Sequence, residues 1–539
     1  MNIQLSYLKD SHLIVSDKEE NEDYKLTIHT ENNRTEVTLI PKRVLTMKSA
    51  HITLSYSYGK KDLIYLNGFQ SWTDSREFKI HEKMRGINHL PKALIQSFHF
   101  NGYGDYDFVK YDKKSLHGFT YSYIKGEKNT FLIGSYNFRN AYLIIRHQPK
   151  EGRIILESDV NGLIIDKDFV LFDYVTLTGD KNEVLETYLS EFTPLKSRKI
   201  RGYTSWYNHY QNISESILLQ DLKGIEQDSY DLFQIDDGFE SYVGDWLSLD
   251  EEKFPNGLEP VVDRIHQKGL KAGIWLAPFV AEKDSHLFKE HPEYFYTEEG
   301  KPVFAGCNWS HQAVLDFRKE CVRDYLKKVL TKYMDEYHFD FFKLDFLYAV
   351  TLIKDSHKTR SRLMEEAMVF LRNTLKDRLI LGCGVPLANA FGNVDYCRIG
   401  PDVSLRFDDV FYMRFMHRER ISTKRTILNT VYRYHLDGKV FLNDPDVYLL
   451  RDDNIHLSQK QKESLLVINH LCGSVFFTSD DVSRYDDKKQ ILLKEAEKLS
   501  DAKVISIDTK KSKTEITYLL NGQKHTLIYD SRKGILNHG

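Results

Sequence analysis

Cysteine is scarce in this chain: Cys307, Cys321, Cys383, Cys397 and Cys472 are spread over 539 positions with no CxxC pair. So few thiols, in odd number, exclude a disulfide framework, and a reducing, cytoplasmic setting is expected. Proline (12) and glycine (29) are sparse while aromatics reach 13%, which excludes a disordered or collagen-like chain. An excess of one charge is also missing. The 75 basic and 78 acidic side chains leave a net charge of -3, so the broad positive field that holds nucleic acid is absent. No window approaches the ~20 apolar residues that span a bilayer. The first residues carry Lys9, Asp10, Asp17, Lys18, Glu19 and Glu20 in place of an apolar signal segment, so no membrane partner is expected. HExxH, GxxxxGK[ST] and a GxGxxG after a strand are all lacking, and neither a metal nor another cofactor is expected.

What is present has three textures. Residues 1–195 alternate in short strand-like runs at 24–29, 35–40, 131–134, 141–146, 153–157 and 169–172, with no convincing amphipathic helix. Period-two patterning rich in β-branched and aromatic residues predicts an antiparallel sandwich. A helical stretch at 181–193 leads out of it. Residues 196–483 alternate apolar strand-like runs with helical patterns. The runs lie at 203–207, 232–237, 271–278, 339–346, 379–386, 394–400, 439–446 and 474–481, with helices expected at 214–227, 258–268, 314–337 and 458–471. Eight doubly buried strands with helical crossovers in about 280 residues predict a (β/α)8 barrel. Residues 484–539 begin with a helix at 488–499 and return to alternation, with Asn521-Gly522 as a hairpin turn, which predicts a small antiparallel β-domain packed on the barrel.

Barrel chemistry sits at the C-terminal ends of the strands, and here those ends are polar or aromatic. One aspartate after a strand is more often a helix cap or turn former, but convergence at eight ends reverses that preference for the group. Lys343 and Asp345 lie two apart on strand four and so share a face. The neighbouring ammonium would keep the carboxylate ionised, as a glycosidase nucleophile requires; a buried structural ion pair is the alternative. Arg398-Ile-Gly-Pro-Asp402 ends strand six in a rigid turn that aims Asp402 over the mouth opposite Asp345, where burial would decide whether it holds a proton. Adjacent Asp236 and Asp237 cannot point the same way, so one is expected to bind sugar hydroxyls while the other binds or braces. Trp275 and Trp206 offer flat faces to a pyranose, a core role being the alternative for Trp206. Tyr207 and Arg398, at the ends of strands one and six, join the substrate-binding set, and Cys383 between two glycines is read as a small wall residue against the ligand. Asn443-Asp-Pro-Asp446 is read as a turn bracing the mouth in preference to a hard-cation site.

Taken together, Phe233-Gln-Ile-Asp-Asp237, Gly273-Ile-Trp-Leu-Ala-Pro278, Phe342-Lys-Leu-Asp-Phe346, Leu381-Gly-Cys-Gly384, Arg398-Ile-Gly-Pro-Asp402 and Leu442-Asn-Asp-Pro-Asp446 resemble, in order, the motifs of glycoside hydrolase family 36, the melibiase-like α-galactosidases. Leu66-Asn-Gly-Phe-Gln-Ser-Trp72 is similar to the N-terminal segment that lends this family a tryptophan. The resemblance implies an N-terminal β-supersandwich, a catalytic barrel and a C-terminal β-domain. It implies hydrolysis of terminal α-galactose from small oligosaccharides, with retention through a covalent galactosyl-enzyme. Asp345 would be the nucleophile and Asp402 the acid/base, while Asp236 and Asp237 grip the hydroxyls near C4 and C6 and Lys343, Trp275, Cys383 and Trp72 complete the pocket. One departure stands out: Gly306-Cys307-Asn308-Trp309 occupies a stretch where many members carry an arginine before the Asn. An α-N-acetylgalactosaminidase, a galactosyl transferase or an inactive galactoside-binding protein are the competing readings, and monomer or homo-oligomer is left undetermined.

Overall fold

The structure is a computed structural model, and it describes residues 2–409 and 418–538. The N-terminal part is built of two seven-stranded antiparallel sheets. In Arg34–Pro41 the side chains Thr35, Val37 and Leu39 point inward and their neighbours outward, the alternation a half-buried strand requires. Facing residues of the two sheets, among them Tyr7, Val37, Met47, Ile52, Ile64, Ile145 and Leu156, close one apolar core. One short helix, Lys92–Phe98, interrupts this region against expectation. Its apolar Leu94, Ile95 and Phe98 are not buried, and seven residues are too short a run for a helical period to stand out.

The central sheet is a parallel barrel. Its strands are Ile200–Thr204, Leu232–Ile235, Lys271–Leu276, Phe341–Leu344, Leu379–Gly382, Tyr396–Arg398, Leu442–Asp444 and Val475–Thr478, each paired to the next along most of the ring. The seventh is broken. Leu442–Asp444 pairs with strand six, and after Pro445 and Asp446 the chain resumes as Val447–Tyr448 beside strand eight. Strand eight pairs in turn with strand one, so the ring closes across that interruption. Proline cannot donate to a ladder, and Asp446 sits at φ 73°, so the break falls where the sequence forbids regular pairing.

Two element predictions need correction. Residues 314–337 are not one helix: Gln312–Val314 is a strand antiparallel to Val280–Glu282, and the helix starts at Glu320. Ala313, Val314 and Leu315 are consecutively buried, which a strand between two packed layers permits and a helix face does not. The first barrel strand ends at Thr204 rather than 207; Ser205 accepts the Asp236 N–H with its hydroxyl, and Trp206–His209 turns helical.

The C-terminal sheet has four antiparallel strands, with Asn521 and Gly522 both at positive φ in a two-residue turn between Leu520 and Gln523. Ile507, Ile516, Leu527 and Tyr529 pack with Leu465 and Ile468 of the barrel helix Gln459–Cys472.

The sandwich is tied to the barrel mouth through one buried cation. Arg433, fully buried at the end of helix Thr423–Arg433, donates to Asn67 Oδ1, to the Gln70 and Ser71 carbonyls and, from the barrel side, to the Ile399 carbonyl. Ser71 N–H adds a bond to Val385 O at 2.9 Å. The loop that follows strand Leu63–Leu66 is thereby laid across the barrel end, delivering Trp72.

Candidate active site

A cavity of about 340 Å³ opens at the C-terminal ends of the barrel strands, within the range of small-ligand pockets. Asp236, Asp237, Trp275, Lys343, Asp345 and Asp402 all line it, joined by Trp206 and by Trp72 from the sandwich.

Asp345 ends strand four. The chain turns at once, with Phe346 at φ 53°, so the Phe346 N–H points back and donates to Asp345 Oδ1 at 2.8 Å. That left-handed backbone costs a bulky residue about 1–3 kcal/mol and is held by packing. The Phe346 ring lies 5.3 Å from Trp72 and 5.2 Å from Trp309. Trp275 Nε1 donates to Asp345 Oδ2 at 3.1 Å. Two fixed donors orient the carboxylate and leave lone pairs on the cavity side.

Lys343 does not pair with Asp345 as expected; its ammonium bonds Asp236 Oδ2 at 2.9 Å. Asp236 and Lys343 sit on strands two and four, and inward layers of a barrel are drawn from alternate strands. Burial works hardest against the Lys343 charge, but Asp236, joined by Asp345, holds the ammonium above its ordinary value. Gln234 Nε2 and Thr204 Oγ1 also donate to Asp236 Oδ2, at 2.6 and 3.1 Å. Asp237 points elsewhere, accepting from Gln211 Nε2 at 3.1 Å and Trp309 Nε1 at 3.0 Å.

Asp402 stands at the mouth with 35% of its side chain exposed. Arg398, behind it, holds Asp402 at 2.9 Å, Asp444 at 2.8 Å and Asp446 at 2.9 Å. Asp446 in turn takes the Val403 N–H at 2.7 Å, so the backbone after Asp402 is pinned too. Partial burial pushes the Asp402 carboxyl up to about 6; Arg398 opposes, while Asp446 and Asp345 add to the rise. Asp345 and Asp402 therefore share one cavity in unlike environments, one carboxyl group fixed by two N–H donors and one acid that holds its proton up to about pH 6.

Three residues of the expected set stand behind the wall. Arg398 is 3% exposed and serves the carboxylate cluster; it contributes no lining, because three anions saturate its guanidinium. Tyr207 is buried and gives its hydroxyl to Asp446 Oδ2 at 2.5 Å. Cys383 is 1% exposed, its thiol pushed up by burial, and it receives Trp72 Nε1 at 3.3 Å. Its neighbour Gly384, at φ 55°, leaves room for the Trp72 ring: a Cβ there would stand 2.9 Å from it.

Several lining residues escaped sequence reasoning. Phe346 follows Asp345 directly, and Asn308 and Trp309 lie in the divergent Gly306–Trp309 stretch, so their motifs carried a signal. Phe100 and Tyr103 come from an aperiodic excursion of the sandwich, and Glu419 and Ile421 from a loop before helix Thr423–Arg433; none had one. Among the described residues no group of three or more His, Cys, Asp or Glu side chains is arranged to hold a metal ion. No described helix is long and apolar enough to cross a membrane.

Comparison with known proteins bears on this geometry. Residues 199–377 match the melibiase family model. A curated relative, alpha-galactosidase Mel36A of Lactobacillus acidophilus, is 31% identical over 148 residues, covering 26% of this chain and 20% of that protein. The chain thus spans about a fifth of that relative's length. Among solved structures, the alpha-galactosidase TtGalA of Thermus thermophilus, in complex with p-nitrophenyl alpha-D-galactopyranoside, superposes with a TM-score of 0.73 at 22% identity, over 93% of this chain and 98% of that one. GH36 alpha-galactosidase AgaA of Geobacillus stearothermophilus gives 0.63 at 11% identity, over 97% and 80%. At those identities the likeness is one of fold. The family model and the curated relative agree with the melibiase-like resemblance drawn from the motifs, and the solved structures share the fold.

Proposed function

We propose that this protein is a retaining, exo-acting α-galactosidase that removes terminal α-linked galactose from small oligosaccharides. The observation that carries the reading is the pair Asp345 and Asp402 in one tryptophan-walled cavity, Asp345 fixed by two N–H donors and Asp402 pushed up to about 6. Carboxyl groups whose environments differ in this way divide the roles of a glycosidase between them. Asp345, oriented by Trp275 and Phe346, attacks the anomeric carbon while Asp402 gives its proton to the departing oxygen. The C1–O bond breaks, a galactosyl ester forms on Asp345, and Asp402, now charged, takes a proton from the water that hydrolyses that ester. Asp236 and Asp237 receive sugar hydroxyls, Lys343 fixes Asp236, and the tryptophans take the apolar face of the ring.

Support for an oligosaccharide substrate comes from the Thermus thermophilus relative, which has been solved with stachyose. Five free cysteines fit a reducing cytoplasm. The test is Asp345→Ala: turnover of an aryl α-galactoside is expected to fall by at least about a thousandfold. Added azide should restore it, with β-galactosyl azide as product. Wild-type rates in this variant would end the assignment, and a first-formed β-galactose seen by NMR would replace retention with inversion.

A further inference from the structure

Asp237 belongs to two cavities at once. Besides the active site it lines a separate space of about 280 Å³, bounded also by Gln211, Glu240, Lys253 and Glu282, with Asp237 and Trp309 as the common wall. Gly238, at φ 120°, reverses the chain just after Asp237; a Cβ there would stand 2.6 Å from the Gln211 carbonyl oxygen. The reversal brings Glu240 back to Asp237. Glu240 is 5% exposed, takes the Gly238 N–H at 3.2 Å on Oε2, and lines the second cavity beside Asp237, its carboxyl within hydrogen-bonding reach of that residue's. Two carboxyl groups bond in this way only when one of them carries the proton.

We propose that Glu240 is a positioning residue for sugar recognition: as a neutral acid it donates to Asp237 from behind and so aims Asp237, together with Trp309, into the sugar pocket. The inference rests on the α-galactosidase reading of that pocket. With Gln211 and Trp309, Glu240 would be the third donor to one carboxylate, leaving Asp237 acceptor capacity for substrate hydroxyls and no freedom to rotate.

The proton belongs on Glu240. Burial pushes its carboxyl well above the ordinary range and the charge of Asp237 pushes the same way. Asp237 is raised too, chiefly by burial and further by Asp236, but Glu240, Trp309 and Gln211 offset part of that rise, whereas on Glu240 burial and the neighbouring charge act together. The other charged or titratable groups around the pair are engaged elsewhere. Lys253 donates to the Gly238 and Gln211 carbonyls at 3.1 and 3.2 Å and pairs with Asp250 at 3.3 Å. Glu282 takes the Val243 N–H and the Ser310 hydroxyl, both at 2.9 Å. Asp236 is held by Lys343, and Tyr333 gives its hydroxyl to the Trp246 carbonyl at 2.9 Å. Tyr242 completes the ring of groups lining the second cavity. When pH rises through the raised value of Glu240, two charges share one buried space and the bond becomes a repulsion. Affinity for the sugar then falls on the alkaline side.

The experiment is calorimetric binding of galactose to the full-length wild type, Glu240→Gln and Glu240→Ala across roughly pH 5 to 9. It is run beside kcat and KM on an aryl α-galactoside. Wild-type affinity should fall about tenfold or more at the alkaline end, the scale of one hydrogen bond to a charged group. The Gln variant, whose amide donates and cannot ionise, should match the wild type at low pH and lose the alkaline fall. The Ala variant should bind about tenfold more weakly throughout, its KM rising more than kcat changes. An alkaline fall that survives unchanged in Glu240→Gln, or equal loss of kcat and no change of KM in both variants, would overturn the proposal. Galactose binding without turnover in the wild type would overturn the hydrolase reading alone, and no galactose binding at all would overturn both.

Discussion

Asp402→Asn tests the acid assignment most directly. The group is pushed up to about 6 because partial burial and the charges of Asp446 and Asp345 outweigh Arg398. A group at that value is about ten-elevenths protonated at pH 5 and about one-eleventh at pH 7. If Asp402 protonates the leaving oxygen, kcat/KM on a raffinose-type galactoside falls about tenfold across those two units and about tenfold again by pH 8. Asp402→Asn cannot titrate, so the alkaline limb vanishes and turnover of that substrate drops by about a hundred- to ten-thousandfold. A nitrophenyl galactoside, whose leaving group departs without a proton, loses much less in its first step. The assay is the pH profile of kcat/KM on both substrates at constant ionic strength. A flat wild-type profile between pH 5 and 8, or an alkaline limb that persists in Asp402→Asn, refutes the reasoning. The stability sign follows the same shift. Since folding raises this carboxyl, the wild type loses stability as pH climbs from the unfolded value of 3.8 to about 6, and the Asn variant does not.

Two further perturbations follow from the geometry. Arg398→Met leaves Asp402, Asp444 and Asp446 without their shared cation, which should cost about 3–5 kcal/mol in denaturant unfolding and move the alkaline limb upward; an unchanged midpoint would contradict the clamp. Gly384→Ala forces a Cβ to within 2.9 Å of the Trp72 ring at a positive φ, so a loss of about 1–3 kcal/mol and a fall in kcat/KM are expected, and wild-type kinetics would show that turnover does not depend on how the Trp72 ring is seated.

The barrel was legible because its strands are buried on both faces and read as apolar runs between helices; all eight positions carry a strand. Asp345 and Asp402 were legible because strand ends converge at the mouth, and both line the cavity. The partner of Lys343 was not. Residue parity placed it on the same face as Asp345, but its bond crosses the intervening strand to Asp236, a layer relation that only the closed ring creates. Arg398 looked like a ligand contact for a similar reason: the seam of the broken seventh strand supplies Asp444 and Asp446 as its acceptors. Phe100 and Tyr103 reach the cavity from a segment with no periodicity, and sequence offers no rule for a loop that travels from one sheet to the rim of another domain.

Arg433 has a consequence for how this architecture can change over generations. Its guanidinium is fully enclosed, and its acceptors come from the sandwich loop as well as from the barrel. A recombinant chain that kept the barrel and exchanged its N-terminal half would bury that cation with most of its acceptors gone. A viable chimera must therefore bring a loop that presents an oxygen where Asn67 stands or replace the arginine in the same step.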